Sequence, residues 1–142
     1  MNKTGFVDDY LAYLLARASQ RISSEFHRMV QDQGLSLLEW RVMASLSGKP
    51  HLSISELASI TLAKQPTVTK LIGRMQTAGW VRRVDGTQDR RQSLVSLTPK
   101  GVSKVNPLLE SAKQHESQVL GGLNPEQVQL LKQTLIHLID RA

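Results

Sequence analysis

The sequence predicts a mainly α-helical fold that carries one two-stranded β-hairpin wing. Apolar residues recur every three or four positions over most of the chain, which is the period of an amphipathic helix. Between residues 80 and 97 the pattern changes to two short strand-like runs separated by a charged segment, as in a hairpin. The expected order is a long helix, three shorter helices, the hairpin and two further helices.

The first three helices have recognisable ends. The long helix is expected from about residue 8 to residue 31, and Gly34 follows it as a stop. Ser36-Leu37-Leu38-Glu39 and Ser53-Ile54-Ser55-Glu56 are capping boxes, in which the serine hydroxyl and the glutamate carboxylate each accept a hydrogen bond from the other residue's amide. They start a helix that ends at Gly48 and a shorter one that ends near Thr61.

The fourth helix and the hairpin follow. Pro66 fits the first turn of a helix, because a proline there gives up no hydrogen bond, and Gly79 ends that helix. Strands are expected over residues 80–84 and 92–97, with residues 85–91 as the tip. Thr98-Pro99 and Asn124-Pro125 then start the two C-terminal helices. The fourth helix should bury an apolar stripe formed by Val68, Leu71, Ile72 and Met75.

Length and composition exclude several classes of protein. A chain of 142 residues, 40% of them apolar, suits one domain over residues 1–142. The absence of cysteine excludes disulfides and thiolate metal sites. The longest apolar run, residues 10–16, is far shorter than the ~18 residues of a membrane span, and Asp8-Asp9 argues against a signal peptide. We therefore expect a soluble, unprocessed protein of the cytoplasm.

The positive charge is concentrated in one segment. Residues 62–92 carry seven basic and two acidic side chains, a local net charge of +5 against +6 for the whole chain. The acidic residues are Asp85 and Asp89, and the basic ones are Lys64, Lys70, Arg74, Arg82, Arg83, Arg90 and Arg91. A basic stripe attracts phosphate, whereas the alternative is an ordinary solvated face.

The order of elements is that of a winged helix-turn-helix. A helix with an apolar back and a polar front fits the major groove of DNA, and a basic hairpin beside it reaches phosphates or the minor groove. The front of the fourth helix consists of Pro66, Thr69, Lys70, Gly73, Arg74 and Thr77. A solvated helix surface is the alternative, but the threonines favour DNA, since solubility alone favours Glu and Lys.

The sequence resembles the MarR family (multiple-antibiotic-resistance regulators) over nearly its whole length. Three motifs carry the resemblance: Leu38-Glu39-Trp40-Arg41-Val42-Met43, Thr67-Val68-Thr69-Lys70-Leu71-Ile72 with Gly79-Trp80-Val81, and Asp89-Arg90-Arg91 with Leu97-Thr98-Pro99-Lys100-Gly101. The resemblance implies that Arg91 reads the minor groove and that Asp89 braces it. Asp85-Gly86-Thr87-Gln88 departs from the common wing pattern. The expected DNA-binding residues are Lys64, Gln65, Thr67, Thr69, Lys70, Arg74, Arg83, Asp89, Arg90 and Arg91.

The resemblance also implies partners. The family's homodimers pair the first helix and the last two, here residues 8–33 and 99–142, leaving residues 36–98 as the DNA-binding lobe for a pseudo-palindromic double-stranded operator. The apolar stripes of these helices need cover, from a second copy or within one chain. A repressor released by a phenolic or aromatic-acid effector is expected. Its candidate site is Arg17, Arg21, Trp40 and Arg41, although such arginines are often solvated or ion-paired and such a tryptophan often lies in the core.

Other functions have less support. The four histidines, including His27 and His115, are too widely spaced for a local metal motif, so no metal or cofactor is expected. No nucleophile with its base, carboxylate pair or phosphate-binding glycine loop indicates an enzyme. A winged-helix protein-interaction module and a ligand-independent DNA-binding protein remain as alternatives, the first of which does not need the basic segment.

Overall fold

Helices form most of the chain and the strands form one small sheet, which confirms the predicted winged helix-turn-helix class. The computed structural model describes residues 5–85 and 93–141. A 3₁₀ helix, Phe6–Asp9, precedes helices α1 (Leu11–Asp32), α2 (Leu37–Leu46), α3 (Ile54–Thr61), α4 (Gln65–Thr77), α5 (Pro99–Val119) and α6 (Pro125–Asp140). The strands are β1 (Leu52–Ser53), β2 (Val81–Asp85) and β3 (Ser93–Leu97).

The chain divides into two compact units. The first is Met1–Glu110 and the second is Ser111–Ala142, so the boundary falls within α5. The first unit holds α1 to α4, the sheet and the beginning of α5, and the second holds the rest of α5 and all of α6. The single domain expected over residues 1–142 stays a prediction.

The sheet has one strand more than the predicted hairpin. Its order is β1-β3-β2, and both pairs are antiparallel. Val81 pairs with Leu97 in the hairpin, and Leu52 pairs with Val95 on the other side of β3. The two residues of β1 carry too little pattern to be recognised locally, because their hydrogen-bonding partners lie some forty residues further along the chain.

Helices α1 to α5 and the sheet all contribute to the core of the first unit. The predicted stripe of α4 is buried, as its spacing requires. Each such aliphatic side chain contributes roughly 1.5–3 kcal/mol when it leaves water. The fully buried side chains come from α1 to α5 and from the sheet: Val30, Val42, Met43, Leu46, Leu57, Val68, Ile72, Met75, Val81, Val95 and Val105.

The capping boxes form as predicted. At the start of α2 the Ser36 amide donates to Glu39 Oε1 over 2.8 Å, and the Glu39 amide donates to Ser36 Oγ over 3.1 Å. At α3 the Ser53 amide, and after it the Ser53 hydroxyl, lowers the pKa of Glu56. This cap therefore stabilises the fold above the unfolded pKa, and its contribution is lost as the pH falls through the folded value.

The start of α1 differs from the prediction. Asp8 and Asp9 lie in the 3₁₀ helix, and Tyr10 is extended with φ −84° and ψ 121°, so α1 begins only at Leu11. The Gly5 amide donates to the Asp8 carboxylate over 2.9 Å. Asp8 thus caps the short helix instead of continuing the long one, a choice that the apolar period does not reveal.

Candidate nucleic-acid interface

Helix α4 exposes the whole front that the sequence predicted. Its exposed residues are Gln65, Pro66, Thr67, Thr69, Lys70, Gly73, Arg74, Gln76 and Thr77. An open groove of about 720 Å³ runs along the first half of this front and is lined by Gln65, Pro66, Thr67, Thr69 and Lys70. The buried stripe on the back holds the helix against the core, so the front is a fixed polar surface.

The first turn of α4 is electrostatically positive. Lys64 occupies the N-cap without a side-chain hydrogen bond to the helix, and no acidic residue lies in the first turn. The amides there carry the positive end of the helix dipole, which favours an anion such as phosphate. Leu62, before this turn, is almost fully exposed in the left-handed conformation with φ +58°, a strained state for leucine that sequence reasoning missed.

One residue of the front is already engaged. The Thr77 hydroxyl donates to the Gly73 carbonyl within the helix over 3.1 Å. A hydroxyl in this geometry is less available to a base edge. The side chains of the first two turns of α4, which line the groove, are therefore more available to a partner than the Thr77 hydroxyl.

The two arginines of β2 lie on opposite faces of the strand. Side chains alternate along a strand, so Arg83 shares the face of the buried Val81, whereas Arg82 lies on the other face. Both arginines are exposed. The two side chains can therefore contact different parts of a partner. Counting charges in the sequence does not distinguish them.

The tip of the wing lies outside the described residues. This applies to Asp89, Arg90 and Arg91, and their roles stay predictions. The hairpin that carries them is described up to the Asp85–Ser93 pair of the backbone.

The end of α4 is fastened to the beginning of α5. The Thr98 hydroxyl donates to the Gly79 carbonyl over 2.5 Å, and the Thr98 amide donates to the Trp80 carbonyl over 3.0 Å. The Gly101 amide donates back to Thr98 Oγ1 over 3.0 Å, which makes Thr98 the cap that the sequence predicted. Sequence reasoning missed that the same threonine also holds the turn after α4.

The four candidate effector residues separate into different surroundings. Arg17 and Arg21 line a depression of about 520 Å³ on α1, and Arg21 lies 3.7 Å from Glu25. Arg41 lines a second depression of about 300 Å³ between α1 and α2. Half-buried Trp40 packs against Phe26 with ring centroids 5.2 Å apart, and its role in an effector site stays a prediction.

The smaller depression contains residues that sequence reasoning did not select. It is lined by Ala16, Ser19, Gln20, Ser23, Ser24, His27, Leu37 and Arg41. Gln20 and Ser24 line both depressions, which are therefore adjacent. The serines recur on one side of α1, and this spacing is the signal from which they could have been found.

The described part of the chain contains neither a cluster of metal ligands nor a helix that could span a membrane. Its His, Asp and Glu side chains form no group of three that could hold a metal ion. None of the helices in residues 5–85 and 93–141 is both long and apolar enough to cross a bilayer. The expectation that no metal is bound stays a prediction.

Comparison with known proteins identifies the family. The MarR family model matches residues 33–92, which run from the end of α1 to the wing. The transcriptional repressor IacR of Pseudomonas putida is 30% identical over 128 residues, which cover 90% of this chain and 77% of IacR. The chain belongs to the MarR family of transcriptional regulators. It is therefore a DNA-binding regulator of transcription, and the family is one of regulators, not enzymes.

Solved structures agree with this membership. The MarR family regulator SPO1453 of Silicibacter pomeroyi is 34% identical with a TM-score of 0.82, over 96% of this chain and 99% of that one. BpsR of Bordetella bronchiseptica, whose DNA binding is regulated by 6-hydroxynicotinic acid, is 26% identical with a TM-score of 0.82, over 99% and 100% of the two chains. The family match, residues 33–92, includes the exposed residues of α4 and both arginines of β2.

Proposed function

We propose that this MarR-family protein is a homodimeric repressor that reads a pseudo-palindromic operator with α4 and releases it when an aromatic acid binds. The observation that carries the proposal is the exposed polar front of α4 on a fully buried apolar back. A helix held in this way can enter the major groove without losing its packing. The protein would act in the cytoplasm, with the DNA that it binds.

We assign different tasks to the helix and to the strands. Thr69 and Lys70 line the groove on α4 and are placed to reach base edges. Arg82 and Arg83 lie on β2, beside the recognition helix, and supply affinity for phosphate. Arg91, Arg90 and Asp89 complete the wing in this proposal, with Arg91 in the minor groove.

The assignment predicts two different phenotypes. Lys70→Ala should change the base preference that is recovered when the protein selects from random duplexes. Arg82→Ala should weaken all sequences alike and reduce the slope of log affinity against log salt by about one, because one phosphate contact releases about one counterion. Gel shifts over a range of salt concentrations measure the second effect.

Lys49→Ala is the control for loss of a charge, since Lys49 is exposed in the turn between α2 and β1 and lies outside the basic segment of residues 62–92. The control variant should keep the base preference and the salt dependence of the wild type. An unchanged base preference in Lys70→Ala and Thr69→Ala would contradict the reading role of α4. A wild-type protein that binds no duplex would favour the protein-interaction module instead.

The homodimer is supported by apolar side chains that a single chain leaves uncovered. Ile136 and Ile139 of α6 are 56% and 77% exposed, and large apolar residues at the start of α1 are exposed as well. Ile136 and Ile139 lie one turn apart on α6, and clustered apolar surface of this kind marks an interface with another protein. A two-fold dimer would place two copies of α4 in successive major grooves, about 34–36 Å apart.

The effector site is proposed for the cleft between α1 and α2. Arg41 offers a charge for a carboxylate, and the serine hydroxyls of α1 offer hydrogen bonds to a ring substituent. Its volume of about 300 Å³ lies at the small end of ligand sites, which suits a single aromatic ring. The regulation of BpsR by 6-hydroxynicotinic acid supports this class of ligand.

We expect some member of a panel of hydroxylated aromatic acids, 6-hydroxynicotinic acid included, to lower operator affinity. Arg41→Met should raise the concentration of that acid needed for release by about tenfold, because a charge-assisted hydrogen bond is lost. Arg17→Met is the matched control, because Arg17 lines the neighbouring depression. It should change the concentration of acid needed for release only a little. If no acid of the panel acts and the corresponding amides act no better, the ligand-independent alternative holds.

A further inference from the structure

Two lysines one turn apart on α5 hold the ends of two other helices. Lys100 Nζ donates to the Ala78 carbonyl over 2.9 Å, and Ala78 is the C-cap of α4. Lys104 Nζ donates to the Gln33 carbonyl over 2.6 Å, and Gln33 is the C-cap of α1. A helix C-terminus carries unpaired carbonyls and a partial negative charge, so an ammonium group there is favourable.

Lys104 also touches the base of the wing. Its ammonium lies 5.7 Å from the centroid of the Trp80 ring, within the range of a cation–π contact. Trp80 precedes β2, and its amide donates to the Met75 carbonyl at the end of α4. The half-buried Lys104 thus connects α1, the recognition helix and the wing through one side chain.

We propose that Lys104 is a positioning residue that couples the end of α1 to the recognition helix and the wing. This inference rests on the proposed function, in which α1 lines the effector cleft and α4 reads DNA. A shift of α1 would break or strain the bond to Gln33 and would disturb the contact with Trp80. Coupling between two sites is reciprocal. We therefore expect DNA binding at α4 to reduce local opening at the end of α1.

Hydrogen exchange with and without operator DNA tests the coupling. The operator is the duplex selected from a random pool, added at saturating concentration to each variant. In the wild type, DNA should slow amide exchange about five- to tenfold at residues 78–82 and also at residues 30–35, the end of α1. In Lys104→Met the slowing should persist at residues 78–82 and disappear at residues 30–35.

Two matched variants separate coupling from loss of charge. Lys104→Arg should restore the slowing at residues 30–35, because a guanidinium can donate to a carbonyl and lie over an indole ring. Lys49→Met removes an exposed lysine from the turn between α2 and β1 and should behave as wild type.

Equal slowing at residues 30–35 in Lys104→Met, or none there in the wild type, would overturn the inference while the proposed function stands. If Lys104→Met does not fold, Lys104→Gln is measured in its place against the same expected results. Failure of the wild type to bind any duplex would overturn both.

Discussion

Gly101→Ala is expected to destabilise the protein by about 3 kcal/mol, a large share of the ~5–15 kcal/mol of a typical domain. A Cβ at Gly101 would lie 2.0 Å from the Trp80 carbonyl oxygen and 3.2 Å from Leu97 Cδ2. The Trp80 oxygen belongs to the backbone, accepts from the Thr98 amide and cannot turn aside. The urea midpoint of unfolding, followed by circular dichroism, measures the effect.

Gly73→Ala is the matched control for this substitution. Gly73 lies in α4, and a Cβ there would meet no atom within 4 Å. Helix propensity alone should then stabilise this variant by up to about 1 kcal/mol. Both glycines are helical, so propensity acts in the same direction at both, and only the close approach at Gly101 reverses the sign. A Gly101→Ala protein as stable as the wild type would show that Trp80 and α5 can separate at little cost.

The double variant Ile136→Asp/Ile139→Asp is expected to be a folded monomer with operator affinity at least 100-fold lower. Each side chain is more than half exposed, so the aspartates cost the single chain little. In a dimer they would bury unpaired charges, which costs several kcal/mol. Sedimentation velocity gives the mass, circular dichroism gives the helix content, and gel shifts give the affinity.

Leu130→Asp is the control on the same helix. Leu130 is 65% exposed, but at 100° per residue it lies about 120° round α6 from Ile136 and about 180° from Ile139. It should remain a dimer and bind its operator. Leu135 is half-buried within the chain, so a charge there would confuse folding with assembly. A monomeric double variant with wild-type affinity would show that dimerisation does not organise the DNA-binding surface.

Much of the exposed polar front of α4 could be predicted because its signals are local. The Val68, Leu71, Ile72 and Met75 stripe has the period of a helix, and burying it leaves the opposite residues of α4 outside. The boxes at Ser36 and Ser53 join residues three apart, so they form wherever the helix forms. These features depend on bond geometry and on the hydrophobic effect within one or two turns.

The surroundings of the candidate effector residues could be predicted only in part. Arg41 does line a cleft, but Trp40 packs on Phe26. Both residues belong to the same helix, and one step round it separates a surface position from a packed one. Which of the two packs on Phe26 and which lines the cleft depends on how α1 and α2 cross, and neither helix encodes that angle in its own period.

The sequence by itself determined which segments are helical, which face of α4 is apolar and where the positive charge is concentrated, since neighbours along the chain decide these properties. Only the tertiary structure decided that β1 joins the sheet, that Gly101 must have no side chain and that Lys100 and Lys104 hold the ends of α4 and α1. Each of these features joins atoms far apart in sequence. Their geometry arises only when separate elements pack together. A local pattern of residues therefore cannot predict it.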